Sequence, residues 1–309
     1  MSDVVIVGGG TAGLTAAIYI QRSALQCVVL EREVFGGRIF PSLTIDNYPS
    51  LMGISGMDYS DKLREHALSL GAILSTESVT SFEVNDHKWT VITNKNTYTS
   101  GAVIYAAGEK QRLLEVKGEQ ELLGRGVAYC AACDGAFYRN KDVAIVGGGD
   151  KAFDDALILS RMCKSVSLIH RRDEFRAAGT TVAAAKEKEN ISFHLNRNVV
   201  SINGTNRVES ITIKDTHGDA EETFPVSGVF IAIGSIPETE LCSEYVLRDS
   251  QGYVMSGEDC KTLQPGFFVA GDIRSKPFRQ LVTAAADGAV AAKYAAEYIA
   301  NVNSIYEGR

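Results

Sequence analysis

Two stretches of this 309-residue chain are built to one plan. DVVIVGGGTAGLTAAIYIQRS (3–23) is an apolar β-like run, a glycine turn and an Ala-rich helical pattern. DVAIVGGGDKAFDDALILSRM (142–162) repeats it. Each carries G-x-G-x-x-G/A: Gly8, Gly10 and Gly13 recur as Gly147, Gly149 and Ala152, at a constant offset of 139. One such pattern is a weak signal, but two in register, each following a strand and opening a helix, predict two dinucleotide-binding units. The first glycine makes the tight turn and the second lets backbone approach a pyrophosphate. The third position lets helix pack close to strand, with phosphate at the helix N-terminus.

The second strand of each unit separates the two sites. In CVVLERE, Glu31 lies 18 residues beyond Gly13, where a carboxylate accepts hydrogen bonds from a ribose diol. The position 139 residues later is His170, followed by Arg171, Arg172 and, four residues on, Arg176. Cations in place of a carboxylate favour a 2′-phosphate. The expectation is an unphosphorylated adenine dinucleotide in the first unit and NADP in the second.

AVIYAAG (102–108) and VFIAIG (229–234) read as the closing strands of the two units. The remaining chain beyond residue 234 is too short for a third domain; PGFFVAGDI (265–273) and the helix-like TAAADGAVAAKYAAEYIA (283–300) most economically complete the first. The predicted fold is therefore α/β: two Rossmann-like, three-layer domains, the second inserted into the first. Residues 1–113 and 245–309 form the discontinuous first domain, and 114–244 the second.

Charge narrows the partners. Lys and Arg number 31 against 38 Asp and Glu, a net −7, which reads against nucleic acid. The longest apolar runs, such as VSGVFIAIG (226–234), are far too short to span a bilayer. The chain enters its first strand pattern at once, without the pattern of a secretory signal, so a cytoplasmic protein is expected.

The order of motifs is a glycine fingerprint, Cys-Ala-x-Cys-Asp-Gly, GGGD-x-A, HRR-x-x-x-R, and a late Gly-Asp with Arg279-Gln280. It resembles the low-molecular-weight thioredoxin reductases, FAD-containing pyridine nucleotide–disulfide oxidoreductases, over essentially the whole chain. The resemblance implies a homodimer with the Cys-x-x-Cys in the NADPH domain. It implies FAD contacts at Gly8, Gly10, Gly13, Glu31, Asn47, Asp272, Arg279 and Gln280, and at Arg38, which stands where the family usually carries a glutamine. It implies NADPH contacts at Gly149, Ala152, His170, Arg171, Arg172 and Arg176. Lys151 replaces a usual small hydroxyl residue and Asp154 a usual glutamate, both within the NADPH phosphate turn.

YCAACDGAFY (129–138) holds the cysteine pair. Cys-x-x-Cys can be half a zinc site, a redox disulfide or two buried thiols. Zinc needs four ligands, and no second CxxC or HxxxH exists; the five histidines (66, 87, 170, 194, 217) lie far off in sequence, so no metal is expected. The Asp-Gly after the pair fits disulfide chemistry. A helix N-terminus favours thiolate, and Asp134, directly after Cys133, can deliver a proton to a leaving sulfur. The other cysteines (27, 163, 242, 260) read as small buried hydrophobes.

By the resemblance, Cys133 takes electrons from the flavin and Cys130 attacks the disulfide of thioredoxin or a thioredoxin-like partner. The order implied is NADPH to FAD, FAD to Cys130–Cys133, then the dithiol to the partner. The cysteines and the nicotinamide site share one domain yet must reach one flavin. The second domain is therefore expected to swing, with hinges near 113–118 and 242–248. Three other readings compete: the same chemistry fed by ferredoxin, a flavin thiol oxidase, and a non-catalytic nucleotide-sensing protein. Intact HRR-x-x-x-R argues against ferredoxin, and a complete CxxCD argues against a scaffold.

Overall fold

The computed structural model describes residues 2–40, 42 and 44–307. The chain forms two compact units, residues 1–110 with 236–309, and residues 111–235. The first carries a five-stranded parallel sheet in the order Phe267–Val269, Ala102–Tyr105, Val4–Val7, Cys27–Glu31, Ile73–Thr76. The second repeats the arrangement with Ile191–Leu195, Ser165–His170, Asp142–Val146, Gly228–Ile231 and the short strand Val127–Ala128. The fold is α/β with a fingerprint strand central to each sheet.

Why these runs are continuously apolar is explained by the layering. Val4 and Ile6 point into a core shared with Leu14, Ala17 and Ile299, on the side of the helices Thr11–Arg22 and Leu281–Glu307. Val5 and Val7 point the other way, into a core with Phe82, Trp89 and Val91. The second unit does the same: Val143 and Ile145 pack with Phe153 and Leu159, Ala144 and Val146 with Ile211 and Ile213. A strand covered on both faces cannot alternate polar and apolar, which is the parallel-sheet signature. Each fully buried Val or Ile side chain contributes roughly 1.5–3 kcal/mol relative to exposure.

The third layer in each unit is an antiparallel meander: Val79–Asn85, Lys88–Thr93 and Thr97–Ser100 in the first, Arg197–Asn203, Ser210–Asp215 and Glu221–Pro225 in the second. The second passage between units falls at 235–236, earlier than the expected 244–245. The reason is burial: Cys242 and Val246 lie in the Phe82–Trp89 core and so fold with the first unit. Among the described residues, no helix is long and apolar enough to cross a membrane.

Candidate functional site

In the first unit the fingerprint turn leaves the Val4–Val7 strand at Gly8, whose φ of +102° lies in the region that favours glycine. A Cβ there would stand 2.4 Å from the Ala106 carbonyl oxygen, and one on Gly13 would stand 1.9 Å from that of Gly8. Gly10 differs: the nearest atom to its added Cβ, the Gly36 oxygen, is 3.9 Å away. Gly10 caps the Thr11–Arg22 helix with no side-chain acceptor on the first-turn N–H groups. The crowded glycines build the turn, and the open one leaves room for a ligand at a helix N-terminus. Glu31 ends its strand beside this turn, accepting the Gly9 N–H at 2.7 Å and the Glu33 N–H at 2.9 Å. A carboxylate has capacity for further donors after these two.

Four more expected residues gather in the same unit. Asn47 donates to Gln280 Oε1 at 2.8 Å, across 233 residues of sequence. Arg279 donates to the Asp272 and Arg274 carbonyl oxygens at 3.1 and 3.0 Å and stacks over the Tyr253 ring at 3.7 Å. Gly271 packs against Ala12, so Asp272 is delivered to the first turn of the fingerprint helix. The Oδ1 atom of Asp272 is buried with no hydrogen-bond partner among the described residues. Burial pushes this carboxyl above the usual range, with Lys276 at 3.8 Å opposing. An orphaned buried oxygen is costly unless a ligand donor meets it. Together with the open Gly10, it fits a bound dinucleotide. The residue the sequence reading missed here is Asp287: it accepts the Gly271 N–H at 3.0 Å and pairs with Arg274 and Lys276 at 2.5 and 2.9 Å, fixing the turn that presents Asp272. Inside TAAADGAV it looks like an ordinary solvated helix residue.

The second unit reproduces the turn. Gly147 has a φ of +155°, and a Cβ on it would meet the Ala232 oxygen at 2.5 Å. Gly149 caps the Asp150–Ser160 helix and has nothing within 4 Å of an added Cβ, while Ala152 is fully buried. His170 ends the neighbouring strand with its ring packed beneath Gly148 and 3.1 Å from the Glu174 carbonyl oxygen. Burial holds this ring below its ordinary pKa, with the Glu174 carbonyl opposing and the charges of Arg171, Arg172 and Arg176 adding to the effect. His170 therefore supports the turn, and the exposed charge is carried by Arg171, Arg172 and Arg176. The Arg176 N–H donates to the Gly148 oxygen at 2.8 Å, which anchors the cluster to the turn.

Lys151 reaches one turn forward along the helix to Asp155, Nζ to Oδ2 at 2.7 Å, and Asp155 is 5% exposed. Asp154 faces solvent. The carboxylate one turn along thus offsets the cation that opposes the helix dipole. The i,i+4 spacing of Lys151 and Asp155 was the available signal for the pair.

Cys130 and Cys133 form a disulfide, Cα to Cα 5.3 Å, just beyond the edge strand Val127–Ala128. The Cys133 N–H donates to Cys130 Sγ at 3.2 Å. The helix opened by Cys130 is a single turn, Ala131–Asp134, running into a 3-10 turn, so its dipole is weak, and the Cys133 N–H adds local support for charge on Cys130. Burial pushes the Asp134 carboxyl up to about 6. Glu119, 1% exposed and unmarked by any motif, is tied to Tyr129, the residue before Cys130. It accepts the Leu114 and Glu115 N–H groups at 2.9 and 2.7 Å and the Tyr129 hydroxyl at 2.8 Å. The four remaining cysteines are buried, and burial pushes their thiols up to about 11 or 12. They are unreactive small hydrophobes.

Known proteins share this arrangement. The family model "Pyridine nucleotide-disulphide oxidoreductase" matches residues 2–289, and the chain belongs to that family. A protein named "Thioredoxin reductase" from Treponema pallidum is 39% identical over 298 residues, covering 96% of this chain and 97% of its own. A "Bifunctional thioredoxin reductase/thioredoxin" from Mycobacterium leprae is 42% identical over 301 residues; this chain spans 66% of its length. The crystal structure of thioredoxin reductase from Streptococcus pyogenes superposes with a TM-score of 0.93 at 35% identity, covering 97% of this chain and 99% of that one. The resemblance drawn from the motifs holds.

Proposed function

We propose that this chain reduces the disulfide of thioredoxin or a thioredoxin-like protein, with electrons supplied by NADPH through FAD. The observation that carries the reading is the Cys130–Cys133 disulfide, in the same unit as the Gly147–Ala152 turn and the Arg171, Arg172 and Arg176 cluster. In this reading FAD is held by Gly8, Gly10, Gly13, Glu31, Arg38, Asn47, Asp272, Arg279 and Gln280. NADPH is held by Gly149, Ala152, Arg171, Arg172 and Arg176, with His170 beneath the turn. Held there, FAD would supply the two-electron redox chemistry that links a nicotinamide donor to the disulfide.

The chain's own sulfurs and carboxyl do the rest. Two electrons and two protons open Cys130–Cys133 to a dithiol. The Cys130 thiolate attacks one sulfur of the partner disulfide, and the displaced partner sulfur takes a proton. The Cys133 thiolate then attacks Cys130 Sγ in the mixed disulfide, restoring Cys130–Cys133 and releasing the partner as a dithiol. Asp134 holds the proton: below about pH 6 it is a neutral acid beside Cys133, and above it a carboxylate that can only accept. The chain passes between units at 110–111 and 235–236, so the bonds that must turn for both the disulfide and the nicotinamide to reach one flavin lie there. The reading carries with it a cytoplasmic homodimer, which analytical ultracentrifugation and fractionation would check.

Asp134→Asn is expected to keep the disulfide and lower turnover by about 100-fold, the range for loss of a positioned acid. It should also flatten the limb of the pH–rate profile near 6. An unchanged profile would move the proton to water or another group.

Anaerobic titration followed by flavin absorbance tests the donor. NADPH is expected to bleach the flavin and NADH to do so far less readily. If NADPH leaves the flavin oxidised while reduced ferredoxin bleaches it, the ferredoxin-linked reading replaces this one; rapid reoxidation by oxygen with thiol turnover would favour the oxidase.

A further inference from the structure

Glu109 belongs to no motif, yet it is the hub of a charged cluster in the first unit. Its side chain is 7% exposed. One carboxylate oxygen pairs with Arg38, and the other accepts the Tyr253 hydroxyl at 2.6 Å and lies 3.9 Å from Arg279 Nε. Arg279 stacks on the Tyr253 ring, which closes the set into a loop of contacts. Arg279 also donates from Nε to the backbone oxygen of Asp272 at 3.1 Å, which ties the set to the residue with the orphaned Oδ1. Arg38 lies two residues beyond Gly36, which bridges to Gly10 at the open point of the fingerprint turn. The cluster therefore sits between the two features that fit the dinucleotide.

A carboxylate this buried is costly unless paired, and here it has one firm cation and one neutral donor. Burial, then Glu109, push the Tyr253 phenol up, so it stays a protonated donor. Arg38 is 44% exposed and without Glu109 has many rotamers open to it.

We propose that Glu109 is a positioning residue of the flavin site: it holds Arg38 in place and offsets the positive charge that Arg38 and Arg279 bring to the bound flavin. The proposal rests on the FAD reading above. Its consequence is electrostatic. Without Glu109 the site gains a net positive charge and stabilises a reduced, negatively charged flavin. Without Arg38 it gains a net negative charge and does the reverse.

The test uses the FAD-loaded enzyme and measures the flavin midpoint potential with FAD content and affinity. Glu109→Gln is expected to shift the potential to less negative values and Arg38→Gln to more negative values. The double variant should return near the wild type, and Arg38→Lys should stay near it. A residue that merely supports the fold would lower thermal stability without shifts of opposite sign. If Glu109→Gln fails to hold flavin, Arg38→Gln against Arg38→Lys decides. Equal potentials in those two, or shifts of one sign in all variants, overturn the proposal. A wild-type chain that binds no added FAD overturns the cofactor reading itself, whereas bound FAD with an unmoved potential removes only the role of Glu109.

Discussion

Cys130→Ser and Cys133→Ser are each expected to lower thioredoxin-disulfide reduction by at least about a thousandfold, as removal of a nucleophile does, while FAD content stays at the wild-type level. The two sulfurs are already joined, and a serine oxygen cannot take part in thiol–disulfide exchange. Both side chains are half-buried beyond a short edge strand, so a near-isosteric oxygen costs the fold little. They also lie in a different unit from Gly8, Gly10 and Asp272, which is why flavin should remain. The check is a thioredoxin-coupled assay beside the flavin-to-protein absorbance ratio. Substantial activity in either variant would show that the chemistry runs elsewhere.

Arg171→Ala with Arg172→Ala is expected to erase the preference for NADPH over NADH. Each charge-assisted hydrogen bond to a 2′-phosphate is worth about 1.5–3 kcal/mol, so losing two weakens NADPH by roughly 100-fold or more and leaves NADH nearly unchanged. The turn itself should survive, because His170 and the Arg176 N–H hold it from below through Gly148. Lys151→Ser is expected to change NADPH affinity much less. Its ammonium is engaged by Asp155, so the variant leaves a buried carboxylate unpaired and shows itself mainly as a lower melting temperature. The measurement is flavin-monitored titration with both nucleotides, alongside thermal melts. A double arginine variant that still prefers NADPH would move 2′-phosphate recognition to other residues.

Lys151 illustrates where a sequence can mislead. In order along the chain it is a cation in the first turn after the second glycine fingerprint, where it opposes the helix dipole. In space its partner is Asp155, one helical turn on, and the aspect of the helix that buries Asp155 is decided by packing against the rest of the second unit. His170 is a second case. Register places it at the end of the second strand, but only packing shows that its ring lies under Gly148 while Arg171, Arg172 and Arg176 stay exposed. The second crossing between units is a third, since the burial of Cys242 and Val246 against Phe82 and Trp89 is a long-range event that no local pattern marks.

The sequence by itself determined the α/β class, the duplicated turn and the redox pair, because each depends on neighbours along the chain. The glycines that take a positive φ at positions 8 and 147 and the two cysteines three residues apart are written into single short segments. Only the tertiary structure decided which charges meet. Glu109 reaches Arg38 across 71 residues and Tyr253 across 144, and the Asp272 Oδ1 atom is left without a hydrogen-bond donor among the described residues. Such encounters depend on how sheets and helices bury their apolar faces, and that burial is a property of the packed unit.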